Sequence, residues 1–410
     1  MRAGGRPAPL SPGPRRSLTA ALFARYLGTG VWTPLQVLFF VRIVDLPTSR
    51  VVAGLTVASL VGLLAGPAAG RLADRFGPRE VGVAGLLVQA AASAALLTVR
   101  DFTGFVVVIA LVALGKGAFP AISGALIAHV GGEDKVQYRA RLYSLQNLAM
   151  VSGSLLGGIV LQLDSRTGYT VALLADMASY LLAAVLVARL GHLPPHPQDP
   201  GTGTRKRALA DRPFVAVSLL AGVLVMFEPF LAVLMPVWIA EHTQAPRWTI
   251  SLCFALSSVL VVVFQSRVAR GVETPGEGAR ALRRSGPAIA VAVLLVHAAA
   301  QVPQTAAVAL LLAGTAVLTA GEMVFTAGEY AVSFGLAPAH AQGEYQGVFG
   351  LGTGLGTAVG PPVLSTLCLA AGPLGWIALC GVMVGAGAAV PRVVRLAERD
   401  TTERAGAAAP

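Results

Sequence analysis

The stretch "GRLADRFGPRE", Gly70–Glu80, separates two long apolar runs with a short, densely charged segment. Five of its eleven residues carry charge, and a glycine near each end permits a tight turn. Asp74 sits where an apolar run gives way to polar sequence. An unpaired carboxylate at such a boundary is costly, so Asp74 should meet arginine or the free amides of a helix N-terminus.

Working outward, the chain is strongly apolar. Of 410 residues, 55% are hydrophobic and 12% charged, with a mean hydropathy of +0.70. A soluble domain carries about 25% charged residues, so this balance points to an integral membrane protein. A span needs about 20 apolar residues. Such runs number twelve: 18–41, 51–70, 80–99, 103–128, 141–163, 168–190, 213–239, 248–268, 286–302, 305–332, 345–370 and 374–394. With the N-terminus inside, the inside segments hold 24 of the 31 basic residues and the outside loops hold five. The positive-inside rule then places both termini in the cytoplasm. The formal charge of +11 is spread over these short connections, which argues against a nucleic-acid face. The three cysteines lie in or near apolar runs and show no metal spacing.

The expected organisation is a disordered tail (1–17), a six-helix half (18–190), a linker (191–212), a second six-helix half (213–396) and a C-terminal tail (397–410). The linker "GHLPPHPQDPGTGTRKRALADR" has the Pro, Gly and charge content of a flexible connection. Two six-span halves joined in this way form a transporter plan.

The opening stretch resembles the signature loop of the major facilitator superfamily, Gly-x-Leu-Ala-Asp-Arg-x-Gly-Arg-Arg. The match runs through Gly70, Leu72, Ala73, Asp74, Arg75, Gly77 and Arg79, with Pro78 where a basic residue is usual. The resemblance implies an all-α fold of two six-helix halves working by alternating access, with Asp74 latching the halves on the cytoplasmic side. "GSLLGG", Gly153–Gly158, is similar to the Gly-Pro-x-x-Gly-Gly of the drug/proton antiporter branch, with Ser154 in place of proline. Gly153, Gly157 and Gly158 also suit close helix packing. "APAHAQGEYQG", Ala337–Gly347, resembles a related element in which Gln342 and Glu344 replace arginines. The second half's equivalent of the signature loop, "RVARGVETPGEGARALRRSG", reads as a basic, Gly-rich linker.

Ionisable residues inside spans cost roughly 2.5–3.5 kcal/mol each on insertion scales and are the candidate functional positions. Arg25, Thr29, Trp32 and Gln36 share one stripe of the first span, which the resemblance makes a cavity helix. They read as a substrate wall, or as an arginine snorkelling to the interface beside ordinary packing. Lys116 lies mid-span among Gly115, Gly117 and Pro120, which loosen the helix, and reads as a cavity lysine or as a lysine paired with a neighbouring carboxylate for structure. Asp176 reads as a structural hydrogen-bond partner and His297 as a packing histidine. Glu228 precedes Pro229, whose missing amide opens the helix, and is a candidate proton or cation site. Thr315, Thr319, Glu322, Thr326 and Glu329 line one face of the tenth run, where Thr-Ala-Gly-Glu occurs twice. Glu322 is the coupling candidate there, and Glu329 reads as a gate or boundary charge. Trp238, Trp248 and Trp376 fall where interfacial anchors belong.

No phosphate-binding Gly-x-x-x-x-Gly-Lys-Ser/Thr motif occurs, and no nucleophile–base or metal arrangement is apparent. The expectation is a non-enzymatic, multi-pass transporter of the cell membrane. It would be a monomer without cofactor, driven by the proton gradient and exporting a small amphipathic organic molecule. Its partners would be that molecule and the bilayer, with no nucleic acid. An uptake permease for a polar solute, or a sensor or assembly subunit that has lost transport, are the competing readings.

Overall fold

The computed structural model describes residues 12–163, 165–191, 208–338 and 341–407. Among these the secondary structure is entirely helical. The first half contains α1 (Pro12–Trp32), α2 (Gln36–Arg42), α3 (Thr48–Leu63), α4 (Ala65–Phe76), α5 (Pro78–Ala95), α6 (Phe102–Gly131), α7 (Lys135–Leu163) and α8 (Arg166–Ala188). The second contains α9 (Arg212–Leu224), α10 (Phe227–Pro229), α11 (Met235–His242), α12 (Trp248–Val268), α13 (Pro275–Ala298), α14 (Gln304–Leu336), α15 (Gln342–Leu364) and α16 (Gly372–Ala407). Ten helical stretches among the described residues are long and apolar enough to cross a membrane. The stretch α1–α2 and helix α7 are not among them. The first carries Arg15, Arg16 and Arg25 and breaks after Trp32, and the second opens on Lys135, Arg139 and Arg141.

Helix starts follow local chemistry. Asp101 caps α6 by accepting from the Gly104 amide at 2.7 Å, and Ser165 caps α8 through the Gly168 amide at 3.1 Å. Thr274 and Glu277 form a reciprocal capping box at α13. That box corrects the expected linker around 267–286: α13 begins eleven residues before the apolar run, and Gly278 packs on Gly328 of α14. The helical state also enters both expected tails. α1 starts at Pro12, where Arg15 donates to the carbonyls of Val130 and Gly131 and Ser17 to that of Leu186. α16 continues to Ala407. In the expected linker, 192–207 lies outside the described residues, while Asp211 caps α9 at its far end.

The outer surface is apolar: Leu155 and Leu374 are at least 70% exposed, and Leu60, Val107, Ile159 and Ile377 more than half. Such a surface is stable only against lipid. One buried cluster lies wholly within the second half, and another wholly within the first. A third, built on Leu18, Leu126 and Tyr180, includes Tyr330 and Phe334 of α14 and so joins the halves. Trp238 and Trp376 are buried, donating to the carbonyls of Val296 and Cys368. They are core residues rather than interfacial anchors, because each indole N–H finds a carbonyl freed near a helix end. Trp248 is exposed.

Candidate functional site

The halves meet at the end of the molecule that carries the 70–80 loop. The Asp74 carboxylate accepts from the amides of Gly343 and Glu344, each at 2.8 Å. These belong to the first turn of α15, so an anion from one half satisfies orphan donors and the positive end of a helix in the other. Gly66 and Gly70 of α4 lie directly on Gly347 and Gly343 of α15, where a side chain at Gly70 would run into the Gly343 carbonyl. Gly77 ends α4 at φ 97°, a conformation open to glycine, and Pro78 occupies the first turn of α5, where a missing N–H costs nothing. Arg79 donates twice to the Ala188 carbonyl at the end of α8, at 2.6 and 3.2 Å. Arg75 is exposed, with its guanidinium 5.2 Å from the Phe76 ring centre.

The replaced arginines have local duties. Gln342 donates to the Ala337 carbonyl at 2.7 Å, and Glu344 accepts from the Ala208 amide at 3.3 Å. Tyr345 donates to Asp211 at 2.9 Å, tying the start of α9 to α15.

A second contact between the halves joins α7 to α14. Tyr143 of α7 donates to Oε1 of Glu322 on α14 at 2.9 Å. Glu322 is 7% exposed, so this charge-bearing bond is largely shielded from water. Below it, Ala140, Ala269 and Ala327 pack together, and Gln137 donates to Glu273 at 3.2 Å.

Between the halves lies a cavity of about 260 Å³. Its lining includes Pro120 of α6, Arg139 of α7, Glu228 of α10, Glu329 and Tyr330 of α14, and Phe349 of α15. Glu228 is open to this space, and its carboxylate has no hydrogen-bond or ion-pair partner among the described residues. The helix ends at Leu224, resumes briefly at Phe227–Pro229 and continues as a π turn, Phe230–Leu234. Pro229 cannot donate to the ladder, and the broken turn presents Glu228 inward. Arg139 lies over the Tyr330 ring at 5.0 Å and feels the charge of Glu329.

The other expected site residues divide. Lys116 is half-buried and has no hydrogen-bond or ion-pair partner among the described residues. Arg25 is 4% exposed, with its guanidinium 3.6 Å above the Phe119 ring and its Nε 3.5 Å from Gln89 Oε1. Thr29 pairs with the Tyr180 hydroxyl at 3.2 Å. Trp32 is buried beside Phe39. These three therefore serve the interior of the first half rather than an open wall. The stripe they were read from is not continuous, because the helix breaks between Trp32 and Gln36. Gln36, half-buried, begins α2. Asp176 accepts from Ser93 at 2.6 Å within the first half. Thr319 is fully buried and off the described cavity lining, and Thr315 bonds back to the Leu311 carbonyl at 2.8 Å. His297 packs between Trp238 and Trp376. Gly153 and Gly157 press against the backbone of α1, whereas Gly158 faces open space and makes no close packing.

Arg139 and Tyr143 were not singled out in the sequence. They occur in "RARLYSLQN", where the arginines read as loop charges. Their spacing of four on one helical face was the available signal.

The sequence profile of the Major Facilitator Superfamily matches residues 18–320. Uncharacterized MFS-type transporters from two strains of Mycobacterium tuberculosis are 29% identical over 211 residues, 49% of this chain. The match spans about half the length of those relatives (48%). Among solved structures, a bacterial homologue of the iron transporter ferroportin, outward-facing with soaked iron, aligns with a TM-score of 0.71 at 16% identity, covering 94% of this chain and 99% of that one. FucP in the outward conformation gives 0.70 at 14%, covering 94% and 98%. The human organic anion transporter TETRAN gives 0.68 at 17%, covering 94% and 100%. At these identities the likeness speaks for the fold alone, and with the profile match it completes the case: the chain belongs to the major facilitator superfamily, a family of multi-pass membrane transporters and not of enzymes.

Proposed function

We propose that this chain exports a small amphipathic organic molecule across the cell membrane in exchange for protons, by alternating access between two six-helix halves, 18–190 and 213–396. In this reading the helices make twelve spans with both termini cytoplasmic, the protein acts as a monomer without cofactor, and the closed end is the cytoplasmic one. The observation that carries it is the unpartnered Glu228 carboxylate in a cavity between halves that are bonded together at one end only among the contacts described. That arrangement corresponds to an outward-open state.

The two carboxylates take different parts. Glu228 meets the cavity contents directly. Glu322 is engaged by Tyr143 across the halves, so its charge feeds the strength of the closed-end contact. A proton on Glu322 replaces a charge-assisted bond with a neutral one of roughly half the strength. Proton occupancy and opening of the cytoplasmic end are thereby linked, as an exchanger requires.

The test is transport in proteoliposomes under an imposed pH gradient, comparing wild type with Glu228→Gln and Glu322→Gln. Gradient-driven flux should be lost in Glu228→Gln and uncoupled from the gradient in Glu322→Gln. Flux that ignores the gradient and survives both changes refutes the coupling.

A further inference from the structure

One wall of the cavity carries Glu228, and Lys116 stands on α6 one turn from the cavity-lining Pro120, at a similar distance from the closed end. Glu228 lies sixteen residues along from Arg212, the start of α9 at the closed end, or about 24 Å by helical rise. Lys116 lies fifteen residues back from Gly131, the end of α6, or about 22 Å. Pro120 lines the cavity, and Lys116, four residues away, shares its face of α6. The neighbours of Lys116 agree: Gly115 is turned to Gln89 of α5 and Gly117 to Gly62 of α3, leaving Lys116 between them on the cavity side.

Lys116 and Glu228 both lack a hydrogen-bond or ion-pair partner among the described residues. Lys116 feels Asp176, whose Oδ2 accepts from Ser93 and whose Oδ1 is buried without a hydrogen-bond partner, and Arg25 stands nearby as a second cation. Two cations against one carboxylate leave the α6 wall net positive. Deeper in the cavity, Arg139 and Glu329 face each other and roughly cancel. The Gln89 side-chain nitrogen is buried without an acceptor on the same side. An isolated charge in a membrane interior is expensive, and a cargo charged at both ends would supply a direct partner to each.

We propose that the cavity takes a small organic zwitterion, its anionic group against Lys116 and its cationic group against Glu228. Arg25, buried behind Phe119, adds to the positive potential without touching the cargo. Tyr330 and Phe349 supply an apolar wall for the body of the molecule. This inference rests on the transporter reading above and narrows its substrate class.

The test uses one skeleton in three charge states: para-(aminomethyl)benzoate, a zwitterion; para-methylbenzylamine, a cation; and para-methylbenzoate, an anion. Binding to the purified full-length protein in detergent is read by calorimetry and by the ligand-induced rise in unfolding temperature. In wild type the zwitterion should bind roughly tenfold or more tighter than either analogue, the worth of one buried charge-assisted bond. In Lys116→Gln it should fall to the cation's affinity, and in Glu228→Gln to the anion's. The wild-type ranking needs no variant, so a misfolded mutant does not blunt the test. A wild-type series with no advantage for the zwitterion, including one in which nothing binds, overturns the inference. So does a cavity in which the two residues serve only to pair with each other, since that too gives no ranking. Gradient-driven efflux of another compound in liposomes, with no zwitterion preference, would sink this inference and leave the transporter reading standing.

Discussion

Replacing Asp74 by asparagine tests whether the 70–80 loop is a latch. The native carboxylate accepts from the Gly343 and Glu344 amides at 2.8 Å each. Asparagine keeps one acceptor oxygen but turns an amide nitrogen toward the other N–H and removes the charge. One charge-assisted bond is lost and the other becomes neutral. Bonds to charged groups are worth about 1.5–3 kcal/mol. Because Asp74 is only half-buried, the lower end applies, about 1.5 kcal/mol. At 1.4 kcal/mol per decade, the equilibrium between closed and open forms of this end should shift about tenfold toward open. The measurement is a spin-label distance between Arg71→Cys and Arg280→Cys, both exposed near this end, in nanodiscs with Cys253, Cys368 and Cys380 replaced by serine. The short-distance population should fall in Asp74→Asn and recover in Asp74→Glu. An unchanged distribution in Asp74→Asn would show that glycine-to-glycine packing alone holds the halves, and the latch reasoning would fail.

The same label pair reads two further variants. Tyr143→Phe removes the 2.9 Å bond to Glu322 and should open this end by about tenfold or more, additively with Asp74→Asn only if the two contacts act independently. Gly70→Leu places a side chain against the Gly343 carbonyl and should abolish closure here while leaving each half folded, seen as loss of the short distance with unchanged helical content. Thr274→Ala removes the capping box of α13 and should lower stability by about 0.5–2 kcal/mol without moving the label distances. A calorimetric unfolding scan checks that value.

Local chemistry was enough to mark the apolar runs, most of the breaks between them and the family. Hydropathy, turn glycines and the charge pattern of Gly70–Glu80 act within one segment, so no partner is needed to read them. Asp74 was legible for the same reason: a carboxylate at a boundary must find helix amides or arginine, and α15 supplies the amides. Glu228 was legible because Pro229 breaks its helix wherever it lies. What a helix face meets was not legible. Lipid, a packed neighbour and a cavity all impose the same 3.6-residue period, so the stripe Arg25–Thr29–Trp32 looked like a wall and is interior to the first half. Charge made Arg139 look like part of a loop, although it lines the cavity, and Tyr143 became visible only opposite Glu322. The repeated Thr-Ala-Gly-Glu shows the division. The sequence placed both glutamates on one face, but only packing put Glu322 under a tyrosine of the other half and Glu329 in the cavity beside Arg139. Partners more than a hundred residues apart are chosen by tertiary contact, and no local periodicity encodes them.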